Sequence, residues 1–231
     1  MMKISRVVLR ISSYIRYRVI MPLGRKARKL WRNQRDQNRL KNKEFTIISS
    51  NCLSGVISHD LGLKFLSPTV NLYIPPAYFI RFLEDLPHYL GLDLAFVDNY
   101  GLPYPVAVLE DVPVFFIHYK TKQEALEKWE ARKKRIRWDN LFIMMTDRYC
   151  CPYDVLKRFD SLPYKNKVCF TVREYEEFQS CVRVKKGNSK TCVGIITDIM
   201  NIFGKRMYQY NFDYVKWLNQ GGAGKLFQHK K

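Results

Sequence analysis

The chain has no apolar run near the roughly 18 consecutive residues that a membrane-spanning helix needs, so an integral membrane protein is not expected. It also lacks G-x-G-x-x-G, a Walker loop, H-E-x-x-H and G-x-S-x-G. That removes sequence support for the commonest dinucleotide, nucleotide, metalloprotease and hydrolase readings. Histidine is scarce, with four residues. Six cysteines, at 52, 150, 151, 169, 181 and 192, contain no C-x-x-C pair, and the histidines lie far from them in sequence. This spacing fits neither a zinc site nor the disulfide framework of a small secreted domain. V-C-F at 168–170 and T-C-V at 191–193 read as ordinary buried thiols in a cytoplasmic protein. No metal and no cofactor is expected.

Acidic residues are also few, 21 against 40 Lys and Arg, giving a net charge of +19 over 231 residues. The excess is uneven: residues 1–43 hold fourteen Lys or Arg and one acid, Asp36, while the rest carries the other +6. Such a leader attracts an anionic membrane surface, an acidic partner or nucleic acid; no nucleic-acid motif supports the last. The remainder, with 47% hydrophobic and 14% aromatic residues overall, is rich enough to fold around a core. Three parts are expected: a basic amphipathic helix and connector over 1–43, an α/β domain over 44–219, and a basic tail over 220–231.

In the leader, Ile4, Val8, Ile11, Ile15, Val19 and Leu23 recur at three- and four-residue intervals among arginines. This is the pattern of a helix lying on an anionic leaflet through residues 1–24. It equally fits packing on the domain itself or on a second subunit, so a homo-oligomer stays open. Pro22 and Gly24 are expected to bend or stop the helix.

Beyond it, Phe45–Ile48 reads as a strand, Ser49-Ser50-Asn51-Cys52 as a polar turn, and Val56, Ile57 and Leu61 as the apolar face of a short helix. Strands are expected at Lys64–Leu66 and Leu92–Val97. Val106–Leu109 and Val112–His118 read as a hairpin. Thr121 and Glu124 form a capping box for a helix over Lys122–Arg135. Leu141–Met145, continuously apolar, has the character of a strand covered on both faces. Pro152–Phe159 and Glu174–Phe178 read as short helices, Lys167–Thr171 as a strand, Cys181–Val184 and Thr191–Ile196 as a pair across a basic loop, and Tyr210–Leu218 as a last helix. The fold class is therefore α/β, a mostly parallel sheet flanked by helices with additional hairpin elements.

In such folds the polar turns after buried strands open onto the ligand crevice. Two qualify: Ser50-Asn51-Cys52 and Thr146-Asp147-Arg148. At the first, Asn51 and the following helix start can receive an anion, and Cys52 is either a nucleophile served by His59 or His118 or a small residue filling the turn. His118 stands where an apolar strand turns polar and is a candidate acid or base. Arg135, with Asp139 and Asn140 following, offers a guanidinium fork for phosphate or carboxylate, or a solvated helix end. Asp147 and Arg148 form a carboxylate–guanidinium pair at the mouth of the crevice.

The stretches Ser50–Leu72 (S-N-C-L-S-G-V-I-S-H-D-L-G-L-K-F-L-S-P-T-V-N-L), H-Y-K-T from His118, K-W-E-A-R-K-K-R-I-R-W-D-N-L-F from Lys128, T-D-R from Thr146 and L-P-Y-K-N-K-V-C-F-T from Leu162 together resemble the bacterial DUF1919 family over about Phe45–Asn219. The resemblance implies a Rossmann-like α/β architecture and an association with capsule and exopolysaccharide biosynthesis; it carries no catalytic mechanism. Two functional expectations follow. One is a transferase-like protein acting on an anionic sugar-phosphate, sugar-nucleotide or lipid-linked phosphate substrate, at the inner face of the membrane. The other is a non-enzymatic membrane-surface adaptor for polysaccharide assembly. The first assumes that Asn51, His118 and Arg135–Arg148 converge on one hollow.

Overall fold

A computed structural model of the chain describes residues 14–98, 101–149, 151–184 and 191–220. Residues 221–231 of the expected tail over 220–231, the basic loop 185–190 and the first half of the amphipathic leader lie outside the described residues. The described residues hold seven strands: β1 (Thr46–Ser49), β2 (Ala95–Val97), β3 (Val106–Leu109), β4 (Val112–Phe115), β5 (Leu141–Thr146), β6 (Lys167–Thr171) and β7 (Cys181–Arg183). β1, β5, β6 and β7 form a parallel sheet in that order, and β2, β3 and β4 a small antiparallel one. The expected α/β architecture and the β3–β4 hairpin are both there.

Alternation along the parallel strands builds two cores. Ile48, Ile143, Met145 and Cys169 face one side, where they meet the small sheet and the helices α3 (Pro76–Glu84), α4 (Leu86–Gly91), α5 (Lys122–Lys133) and α6 (Tyr153–Ser161). Ile47, Phe142, Met144, Val168 and Phe170 face the other, against α2 (Leu53–Asp60) and the C-terminal α7 (Tyr214–Asn219). A period of two with both faces covered is what leaves a strand such as L-F-I-M-M-T apolar throughout. The two sheets are tied through Tyr73 and Ile74. Tyr73 exchanges backbone hydrogen bonds with Phe115 of β4, and the Ile74 amide donates to the Ser50 carbonyl at the end of β1, 2.9 Å.

Residues 16–39 form one helix, α1, with π-helical turns at Arg16–Ile20 and Arg28–Arg32. It runs through Pro22 and Gly24 instead of stopping there. Pro22 falls in the first turn after a π segment, where the wider coil relieves the clash of its ring with the preceding turn. Met21, Gly24, Arg28, Arg32 and Asp36 make a buried stripe facing the domain. Gly24 is needed for that contact, since a Cβ there would lie 2.5 Å from the Asn201 carbonyl oxygen. Gly204 meets it from the other side at φ +73°. Arg28 and Arg206 both close on the buried carboxylate of Asp60, at 2.9 and 2.8 Å, fixing α1 to the end of α2. Among the described residues no helix is long and apolar enough to cross a membrane.

Three expected elements differ. Lys64–Leu66 is not a strand: Pro68 cannot donate to a ladder, and hydroxyls take over, Thr69 Oγ1 accepting from the Ser49 amide and Thr46 Oγ1 donating to the Leu66 carbonyl. Cys181–Arg183 pairs in parallel with β6 instead of forming a hairpin with 191–196. Val182 thereby joins the Phe170 side of the core, while the Val193 amide is taken by Asp147. Glu174–Phe178 is a turn whose Tyr175 and Phe178 rings pack on Tyr153 of α6.

Candidate functional site: the crevice between two parallel strands

After β1 the chain passes to α2 on one face of the parallel sheet; after β5, its neighbour, it passes to α6 on the opposite face. Where adjacent strands send their helices to opposite sides, the loops diverge and a crevice opens at the carboxyl ends. Asn51 and Thr146 stand on its two lips, and the Asn51 amide donates to Thr146 Oγ1 across the gap at 3.1 Å. Asn51 Oδ1 accepts from the Leu53 amide, 3.0 Å, and Ser49 Oγ accepts from the Ser54 amide, 3.2 Å. The first two amides of α2 are thus already satisfied by side chains of the turn, so they stabilise the turn and are not donors waiting for an anion. Ser50 is buried, with its backbone holding Met144 and Ile74.

Asp147 is buried, and both its oxygens accept backbone amides, Val172 at 2.7 Å and Val193 at 2.6 Å. Burial pushes its carboxyl above the ordinary range, with the two amides opposing. It staples β6 and the 193 segment to β5, and the expected Asp147–Arg148 pair does not form.

Arg148 is the exception in this satisfied network. Half-buried, it forms no hydrogen bond or ion pair among the described residues; its guanidinium lies over the Tyr149 ring, 5.1 Å from the centroid. Tyr149 in turn meets Tyr73 edge-on at 5.4 Å. Tyr149 has φ +62° and is 64% exposed. A bulky side chain in the left-handed region is strained by roughly 1–2 kcal/mol, and such strain gathers at functional sites. Cys52 is within reach of the Arg148 charge, yet burial dominates and pushes the thiol up to about 11. At neutral pH it is protonated, which does not suit a nucleophile.

The histidines do not complete a dyad with it. His59 is 78% exposed near the far end of α2, about 10 Å along the axis from Cys52. His118 is exposed on the turn after β4. Its neighbour Tyr119 is the residue that turns inward, donating to the Val70 carbonyl at 2.7 Å and receiving Arg132 at 2.5 Å.

Arg135, Asp139 and Asn140 lie at the other end of the sheet. Asn140 immediately precedes β5, a strand of six residues or about 20 Å. Its amide donates to the Glu44 carbonyl, 2.8 Å, ahead of β1. Arg135 reaches the Phe65 carbonyl at 3.4 Å, and Asp139 is exposed in the short turn between them. The assumption of a single hollow is therefore corrected: in the parallel sheet the segment leading into β5 lies at the amino end of the strands, and the turns after β1 and β5 lie at the carboxyl end.

Sequence reasoning missed Tyr73 and Tyr149, whose spacing carries no motif. It also passed over a cavity of about 410 Å³ beneath the C-terminal half of α1, lined by Arg32, Arg35, Arg39 and Lys205. The signal there was legible: three arginines at i, i+3 and i+7 share one side of a helix.

Comparison with known proteins adds the following. The family model for DUF1919, a domain of unknown function, matches residues 23–219, reaching back into α1. An uncharacterized protein of Haemophilus influenzae is 43% identical over 194 residues, covering 84% of this chain and 93% of that protein.

Proposed function

The chain belongs to the DUF1919 family, and we propose that it receives an anionic sugar-phosphate, sugar-nucleotide or lipid-linked phosphate intermediate in the β1–β5 crevice, as a transferase-like protein of capsular or exopolysaccharide biosynthesis. The observation that carries this reading is the Arg148 guanidinium at the mouth of the crevice, without an ion-pair partner among the described residues and beside Tyr149 and Tyr73. A guanidinium fork matches phosphate oxygens with parallel donors. Aromatic faces beside it suit a sugar or base, while Asn51 and Thr146 hold the lips at fixed width. Transfer of a phosphate-linked group draws chiefly on positioning and charge stabilisation, which these residues supply.

The test is calorimetric titration of the full chain with nucleotide sugars, hexose 1-phosphates and short polyprenyl-phosphate sugars, alongside Arg148→Gln. Saturable binding that the variant weakens by about tenfold or more is expected, the scale of a lost charged hydrogen bond. If none of these ligands binds saturably, or the variant binds as the native chain does, the reading fails.

A membrane-surface adaptor is the second reading. It is favoured by the outward face of α1, where Tyr17, Val19, Leu23 and Leu30 are exposed among Arg18, Lys26 and Lys29. It predicts that partner recruitment to anionic vesicles survives simultaneous removal of Cys52, His59 and His118, and fails with Leu23→Glu and Leu30→Glu.

A further inference from the structure

The cavity beneath α1 collects more positive than negative charge. Arg32, Arg35, Arg39 and Lys205 line it with two carboxylates, Asp36 and Asp213. Both carboxylates are engaged. Asp36 accepts from Arg35 at 2.9 Å and from the Tyr214 hydroxyl at 2.9 Å, with Arg39 nearby at 3.7 Å. Asp213 is held by Arg39 and caps α7 through the Lys216 amide. Arg32 is left over. It is 7% exposed, its Nε donates to the Phe203 carbonyl at 2.8 Å and its guanidinium lies over the Trp31 ring, 4.9 Å from the centroid, while its two terminal nitrogens have no hydrogen-bond or carboxylate partner among the described residues. Burial, followed by the charge of Arg35, pulls its pKa below the ordinary guanidinium value, with Asp36 opposing. A guanidinium fork whose stem is buried and whose terminal nitrogens open on a 410 Å³ space presents two donors to an anion.

We infer that this cavity is a second anion site, taking the phosphate or diphosphate group of a small ligand on Arg32, with Arg35 and Lys205 on its walls. It is independent of the β1–β5 crevice. That crevice lies where α2 begins, whereas Arg28 and Arg206 anchor this region to Asp60, where α2 ends. The Arg32 fork provides two parallel donors for one phosphate, and the paired Arg35 and Arg39 supply background field without having to leave Asp36 and Asp213. The same phosphate chemistry belongs to a soluble metabolite and to a lipid headgroup. Trp31, exposed one residue before Arg32 and lying under the Arg32 and Arg35 guanidiniums, sets an apolar surface beside the entrance that a headgroup would also use.

The experiment titrates pyrophosphate, at fixed ionic strength, into the full chain carrying Arg148→Gln, so that binding in the crevice is weakened. Saturable one-to-one binding is expected. Adding Arg32→Gln should weaken it about tenfold or more and Lys205→Gln several-fold. Should Arg32→Gln fail to fold, the half-buried Lys205 keeps the test in force. No saturable binding in the Arg148→Gln chain, or binding that both added substitutions leave intact, overturns the proposal; the first result would leave the crevice reading standing. Phosphatidylcholine vesicles doped with phosphatidic acid separate the two sources, with phosphatidylserine as the charge control. Pyrophosphate-competed sedimentation with phosphatidic acid alone assigns a lipid phosphate. Pyrophosphate binding without sedimentation assigns a soluble one.

Discussion

Two buried aspartates, Asp60 beneath α1 and Asp147 at the crevice, show how differently the two regions handle charge. Asp60 lies between Arg28 and Arg206, each within 2.9 Å. Burial alone would raise its pKa, but the bonds and charges of the two arginines outweigh it and hold the carboxylate below its ordinary range. Asp147 accepts from two neutral backbone amides, and burial outweighs them and the charge of Arg173, pushing it up. The ionic cluster fixes a helix and leaves a cation over. The neutral network fixes a loop and leaves Arg148 without an ion-pair partner among the described residues. A charge in excess is informative only where its neighbours are already satisfied, and both regions meet that condition.

The comparison breaks most readily at Asp60. Asp60→Ala leaves two arginines facing a buried gap and should lower unfolding free energy by about 3–5 kcal/mol, as removal of one partner of a buried pair does. Guanidinium denaturation measures it; a loss below about 1 kcal/mol would mean that α1 is held by apolar contact alone. The pH signatures of the two residues have opposite signs. With a depressed folded pKa, Asp60 contributes stability above the ordinary carboxylate value near 3.9, and that stability is lost as pH falls through the folded pKa. With a raised folded pKa, Asp147 weakens the fold as pH rises from that ordinary value through its own. Acid denaturation curves of Asp60→Asn and Asp147→Asn should therefore depart from the native curve in opposite directions below neutral pH.

At neutral pH Asp147→Asn should still destabilise, by about 1–3 kcal/mol, because its amide nitrogen cannot accept from both Val172 and Val193. Gly204→Ala should have a similar effect, about 1–3 kcal/mol. Its methyl group would lie 2.6 Å from the Gly24 carbonyl oxygen, at a φ that suits only glycine. Limited proteolysis should then release α1 while crevice ligands still bind. Intact crevice binding after α1 is loosened sharpens the claim that the two regions are separate; joint loss would merge them. The smallest effect belongs to Cys52. Its iodoacetamide reaction should keep accelerating up to about pH 11, where its thiol titrates, and Cys52→Ala should bind crevice ligands nearly as the native chain does. A rate that levels off near pH 8 would restore it as a nucleophile candidate.

Much of the fold could be read from residue patterns. β6 occupies Lys167–Thr171 as its apolar run indicated, and β5 shows the two-faced burial that L-F-I-M-M-T implied. Thr121 does cap α5, accepting from the Glu124 amide. What failed depended on distant partners. Nothing in Pro22 or Gly24 discloses that a π turn and a facing Gly204 will carry the helix onward, and nothing in Cys181–Val184 reveals that β6 offers a better edge than 191–196. The crevice was legible as two polar turns ending buried strands. Its occupants were not, because whether Asn51 or Asp147 is spare or already bonded is decided by residues as remote as Thr146 and Val193. Arg135 was assigned to the crevice on charge alone, and direction along β5 excludes it.

The central claim is that phosphate meets Arg148. The most direct measurement is a crystal structure of the full chain soaked with a nucleotide sugar at near-physiological salt. The diphosphate should lie against the Arg148 guanidinium, between Asn51 and Tyr149, with the sugar or base along the Tyr73 and Tyr149 rings. A diphosphate bound only beneath α1, or a crevice closed by apolar side chains with Arg148 turned to solvent, would contradict it.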